Sequence, residues 1–250
     1  MEQLVDVFLE LEKCPLTKTG SLMASGLVGP FAQSHMFTSP SESIGPFDNL
    51  EKLLTSTLKH KIEMIEGGEL STLSVDNHLT HLWMLERIPD LVMHTKDTQF
   101  YIKHSDDKGD HILVDEHYNI TGIIGWESAS AESKPLALGS PCMMWPVGDY
   151  YDGSNQLSPE EVEFAQIFQR RGREDMAQMI LQGRKCQRFF FSVGSVVSPQ
   201  REELEALFQG LRKAFEGEYV ESYSEWRTAA ISQASKDPIL EQLLQAERRI

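Results

Sequence analysis

Between Gln99 and Glu127 three short runs rich in β-branched and aromatic residues, Phe100 to Ile102, Ile112 to Val114 and Ile120 to Ile124, are spaced by polar segments. Apolar runs this short, bounded by Gly, Asp and Asn, read as strands, and the second and third are close enough to make a hairpin. The loop between the first and second carries His104, Asp106, Asp107, Lys108, Asp110 and His111. Such polar density between strands belongs to a site more often than to a plain connection. The remaining chain is mostly helical in pattern and has to cover this small unit, so the predicted class is α+β, mainly helical.

Taken in order, Leu4, Val5, Phe8, Leu9 and Leu11 recur at helical spacing and predict an amphipathic helix up to Lys13. Cys14 to Pro46 is rich in Ser, Thr, Gly and Pro and reads as a long loop with a short hairpin. A second helix is predicted from Asp48, with Glu51 completing a capping box, to about Glu66 before Gly67-Gly68. A third runs from Ser74 to about Met93, with Pro89 expected to kink or end it. Residues 135–152 show little periodicity and many Pro and aromatic residues. Ser158-Pro159-Glu160-Glu161 is a strong helix start. Helices are predicted beyond it at about 158–182 with a break at Gly172, then 185–194, 199–215, 222–235 and 238–249.

A chain of 250 residues with 40% hydrophobic residues can bury a sizeable core, as one large domain or a lobe and a half. Its net charge of −15 repels phosphate backbones and anionic membranes, so neither nucleic acid nor a membrane is an expected partner. Three widely spaced cysteines, Cys14, Cys142 and Cys186, form no zinc or disulfide pattern and fit a reducing cytoplasm. The first residues show no basic segment ahead of an apolar stretch, and no run approaches a membrane span. His78 and His81 lie three apart on a predicted helix without a third ligand nearby, so a structural or solvent-facing role is expected. The basic run Arg170, Arg171, Arg173, Arg184, Lys185 and Arg188 reads as a solvated face.

His104-Ser-Asp106, the strand Ile112-Leu-Val-Asp115, and Ile120-Thr-Gly-Ile-Ile-Gly125-Trp126-Glu127 follow one another at a spacing that resembles the catalytic core of the aminoglycoside phosphotransferase family. The likeness extends over nearly the whole chain and is greatest to a fungal branch with an Asp-Asp-Lys-Gly-Asp-His loop. It implies a protein-kinase-like large C-terminal lobe over 1–250, with small β-hairpins around the catalytic-type loop. Residues 1–98 would be helices with an irregular insert, 99–127 the loop and hairpin, 128–157 a cleft-lining segment and 158–250 a helical subdomain.

The resemblance further implies that Asp106 accepts the proton of an attacking hydroxyl and that His104 orients the loop from a buried position. Asp107, Asp110, Trp145 and Tyr150 are the candidate substrate-binding residues, the two aromatics by position in the cleft-lining segment. One of the crowded carboxylates Asp107, Asp110 and Asp115 is expected to titrate high, and Glu127 to brace the hairpin. The family's metal-binding Asn falls on His111 and its metal-binding Asp on Gly125. Glycine supplies no ligand, and imidazole suits zinc or iron better than Mg²⁺, which leaves His111 as the candidate metal residue.

The 98 residues before Gln99 show no strand, Gly-rich turn and strand pattern of a nucleotide lobe; the nearest stretch, Ser25 to Pro30, is a lone turn. Three expectations follow. The first is a pseudokinase-like lobe that binds a small molecule, or a protein partner or second copy through the face a small lobe would cover, with no cofactor. The second is a small-metabolite enzyme using Asp106 as acid or base without ATP. The third is an active phosphotransferase completed by a missing lobe, the one case that brings in Mg²⁺ and ATP.

Overall fold

The computed structural model describes residues 1–32, 43–70, 72–93, 98–194 and 200–249. Over these the protein is α+β and mainly helical, with two small antiparallel sheets. Helix α1, Glu2–Glu12, buries Leu4 and Val5, and Phe8 meets Phe164 edge-on with ring centres 5.4 Å apart. Phe8, Leu9 and Leu11 pack against the same core, so the stripe is covered and not left bare.

The segment predicted as a long loop with a short hairpin contributes two antiparallel strands, β1 (Gly20–Leu22) and β2 (Val28–Gly29). Gly20 permits the two strands to approach this closely: a Cβ there would sit 2.1 Å from the Gly29 carbonyl oxygen. The stretch 33–42 of the predicted loop lies outside the described residues. Strand β3 (Phe100–Lys103) is the first of the three predicted runs, and β4 (Ile112–Val114) and β5 (Ile120–Ile123) form the predicted hairpin. A sixth strand, β6 (Ser130–Ser133), precedes the aperiodic segment and is not among the predicted runs. It joins β1 to β3, giving the order β2-β1-β6-β3. The register sets Ser130 opposite Lys103 and Glu132 opposite Tyr101.

Helix α2 runs Leu50–Glu66 and is capped by Asn49, whose side chain accepts the Lys52 amide at 2.8 Å; the predicted cap at Asp48 is one residue early. Helix α3 (Ser74–Val92) keeps Pro89 in its last turn, where a proline ends the pattern without breaking the interior. Two short helices follow β6: α4 (Lys134–Ala137) and α5 (Val147–Tyr151). The C-terminal helices are α6 (Pro159–Arg170), α7 (Glu174–Leu181), α8 (Arg184–Gly194), α9 (Arg201–Glu216), α10 (Tyr223–Gln233) and α11 (Pro238–Glu247). The expected break at Gly172 separates α6 from α7. The start expected at 199 falls outside the described residues.

Two apolar clusters hold these elements. One joins α2 and α3 to α8 through α11, with Leu54, Leu58, Met84, Phe189 and Leu211 at its centre; the other joins α1, β3 and α4 to α6 and α7 around Phe164, Phe168 and Ile180. Buried charge ties the first cluster together. Asp76 on α3 accepts from Arg227 Nε and Tyr223 OH, both at 2.7 Å. His78 meets Asp237 at 2.8 Å and His81 bonds the Asn77 carbonyl, so both histidines are structural. Arg170 and Arg171 lie exposed against Glu2 and Asp6, as a solvated face would. Arg184 and Arg188 do not belong to that face: both are buried, because α8 turns them toward Glu161 and the Tyr150 ring. No helix among the described residues is long and apolar enough to cross a membrane.

Candidate functional site

Strand β3 delivers the chain to His104, which is buried and fixed by two opposed hydrogen bonds. Its Nε2 donates to the Ile124 carbonyl at 2.7 Å, and its Nδ1 accepts the Asp106 backbone N–H at 3.2 Å. One ring nitrogen carries the proton and the other a lone pair, so these partners select a single neutral tautomer. The ring stacks on His111 at 4.2 Å and meets Trp126 edge-on at 4.9 Å. Gly125 closes the arrangement with φ +84°, a left-handed conformation, and a Cβ there would stand 3.3 Å from His104 Nε2. The result is a rigid corner that presents Asp106.

That corner opens on a cavity of about 410 Å³. Phe31, Leu54, Leu136, Phe190 and Trp145 form much of its wall, while Lys103, Asp106, Asp107, Lys108 and Glu132 bring charge to one part of it. Asp106 is largely exposed at the mouth and pairs with Lys108 at 3.2 Å, which raises the lysine above its ordinary value. Asp107 is more enclosed and forms an ion pair with Lys103. The Ser105 hydroxyl donates to the Ser128 carbonyl, tying the loop to the turn that precedes β6.

Glu132 is the group that sequence reasoning missed. Two residues from Ser130 on the same strand, it shares that residue's face and lines the cavity with it. Its exposure is only 7%, and burial pushes its carboxyl up to about 7, against a Ser130 hydrogen bond and the Lys103 charge that pull it down. The available signal was the alternation of alanine with polar residues from Ser128 to Ser133, masked because Ser, Ala and Glu are weak strand formers. The carboxylate that burial raises is therefore Glu132, which was not among the three expected to contain it. Asp115 goes the other way: it sits in the β4–β5 turn, where the Asn119 side chain and the Asn119 and His117 amides hold it below its ordinary value.

The other predicted residues divide. Trp145 lines the cavity and donates from Nε1 to the Ser140 carbonyl at 3.0 Å. Tyr150 stacks behind Trp145 at 5.0 Å, fully buried under the Arg188 guanidinium, and does not line the cavity; burial raises its hydroxyl well above the ordinary phenol. Asp110 is exposed and outside the lining. Glu127 is exposed in a 3-10 turn, Trp126–Ser128. His111 Nδ1 accepts the Gly109 N–H at 3.3 Å, and burial lowers its pKa. No group of three or more His, Cys, Asp or Glu side chains able to hold a metal stands among the described residues, so His111 gains no partner ligands of that kind.

The rear of the cavity is built by polar side chains that satisfy one another. Ser140 Oγ donates to Glu161 Oε1 at 2.7 Å and accepts from Gln187 Nε2 at 2.7 Å. Arg184 reaches both Glu161 oxygens, at 3.0 and 2.6 Å. Glu161 also completes the capping box of α6 with Ser158. Chemically the site offers an apolar pocket with a fixed carboxylate at its mouth and an enclosed acid within it. No known protein family, curated protein or solved structure matches the chain.

Proposed function

We propose that this chain is a kinase-like lobe of the aminoglycoside phosphotransferase type that has given up ATP-dependent transfer and binds a small organic molecule in the cavity beside Asp106. The observation that carries the reading is the cavity itself. At about 410 Å³, with apolar walls and a few convergent polar groups, it has the size and character of small-molecule sites. The loop geometry supports the kinase-like part: a buried histidine orients a loop whose carboxylate reaches the acceptor space, as the resemblance implies.

Loss of transfer is supported at Gly125. The resemblance puts a metal-binding carboxylate there, and Mg²⁺ bridging of the phosphates depends on such oxygen ligands. Here the backbone is left-handed and the His104 ring occupies the side-chain direction. Calorimetry with Mg·ATP is expected to give no micromolar isotherm, while a library of small apolar-bodied compounds is expected to give binders that quench Trp145. Filling the cavity with Leu136→Trp should weaken those binders at least tenfold. A micromolar Mg·ATP isotherm, or binders indifferent to Leu136→Trp, would overturn the proposal.

A second reading, proton-transfer catalysis without ATP, is favoured by one observation: Asp106 and Glu132 both border the cavity, one at its mouth and one enclosed. Turnover of a bound compound that Asp106→Asn abolishes while leaving binding intact would select it.

A further inference from the structure

The cavity lining carries three carboxylates, Asp106, Asp107 and Glu132, against two ammonium groups, Lys103 and Lys108. Both ammonium groups are engaged. Lys103 pairs with Asp107, and Lys108 with Asp106 at 3.2 Å. Glu132 is left with the Ser130 hydroxyl and the field of a lysine already bound elsewhere. An enclosed carboxylate is costly to ionise without a cation against it.

We infer, on the basis of the binding function proposed above, that the occupant is a small organic monocation with an apolar body, its ammonium group against Glu132 and its body along Leu54, Leu136 and Phe190. The cation makes good the imbalance of charge, and the apolar wall accepts the rest of the molecule. A protein of net charge −15 also favours the approach of a cation over that of an anion.

The groups around Glu132 make its titration the one that binding reads. Strand β3 brings Lys103 and, directly across the ladder, Tyr101, whose hydroxyl donates to Gln99 at 3.3 Å. The loop brings Asp106, Asp107 and Lys108. The 3-10 turn Cys142–Met144 brings the Cys142 thiol, which burial raises and keeps protonated. Strand β1 carries no titratable residue, and α2, α4 and α8 present none to the cavity.

The test uses three probes with one body: 4-phenylbutylamine, 4-phenylbutanol and 4-phenylbutanoate, titrated calorimetrically into the whole chain. The amine is expected to bind at least tenfold tighter than the alcohol, and the carboxylate weakest. Because burial pushes the Glu132 carboxyl up to about 7 while the amine stays protonated, amine affinity should rise about tenfold from about pH 6 to about pH 8. In Glu132→Gln the amine preference and the pH slope should both vanish. A wild-type pH profile that is flat for the amine, or a preference for alcohol or carboxylate, overturns the inference even where the variant fails to fold. Alcohol binding as tight as amine binding removes the cation and leaves the binding function standing; silence from all three probes removes both.

Discussion

Gly125 and His104 constrain each other. The glycine adopts a φ of +84°, and its missing Cβ leaves room for the imidazole that holds the Asp106 amide. Gly125→Ala is expected to cost about 1–2 kcal/mol, the sum of a left-handed non-glycine residue and pressure on the ring, read by urea unfolding. Gly125→Asp should cost at least as much and bring no ATP turnover, measured by coupled nucleotide consumption. Measurable turnover in that variant would show that a single carboxylate restores the proposed ancestral chemistry.

At the scale of elements, α6 and α8 are joined to the segment after β6 by the Arg184–Glu161–Ser140–Gln187 cluster, two members of which line the cavity. Arg184→Met leaves the fully buried Glu161 without its cation. A loss of about 3–5 kcal/mol is expected by chemical denaturation, with partial recovery when Glu161→Gln is added, since the amide keeps the capping oxygen without the charge.

The helices were legible because caps and periodicity speak locally: Ser158-Pro159 at the start of α6 and Gly172 at its end mark themselves. So did β3 and the β4–β5 hairpin, with their β-branched runs. What escaped was set by distant partners. Strand β6 is poor in strand formers and exists because β1 and β3 flank it, and the short hairpin read within residues 14–46 gave no sign that β1 would pair with it. The loop residues His104, Asp106 and Asp107 could be picked out from their density, whereas Glu132 could not. Only the fold brings its strand beside the loop. Tyr150 reads as an aromatic placed to line the cleft, yet the guanidinium of Arg188, 3.7 Å from its ring centre, claims it for the interior.

For the whole molecule, two buried groups set opposing pH slopes. Glu132, raised to about 7, favours the folded state fully below its ordinary value near 4.5 and loses that advantage as pH climbs through 7. His81, pushed down to about 4 chiefly by burial, acts in reverse: the folded state is favoured above 6.5 and loses ground as pH falls toward 4. Each amounts to about 3 kcal/mol at full extent, so between about pH 4.5 and 6.5 they largely offset and wild-type stability should be nearly flat. Glu132→Gln should uncover a steady rise in unfolding free energy across that window, followed by urea titrations at several pH values. A profile unchanged by the substitution would mean that Glu132 titrates normally.

The cavity wall draws Leu53 and Leu54 from one apolar cluster and Lys103, Pro135 and Leu136 from strand β3 and helix α4 of the other. A guest seated there would act as a rivet, adding a contact between two clusters already joined by the buried Arg184–Glu161–Ser140–Gln187 bonds. At ~100 times its dissociation constant it would add about 2.7 kcal/mol to the work of unfolding. Melting temperature is therefore a direct screen for guests of the proposed site, and slowed amide exchange on both sides of the seam would be their signature.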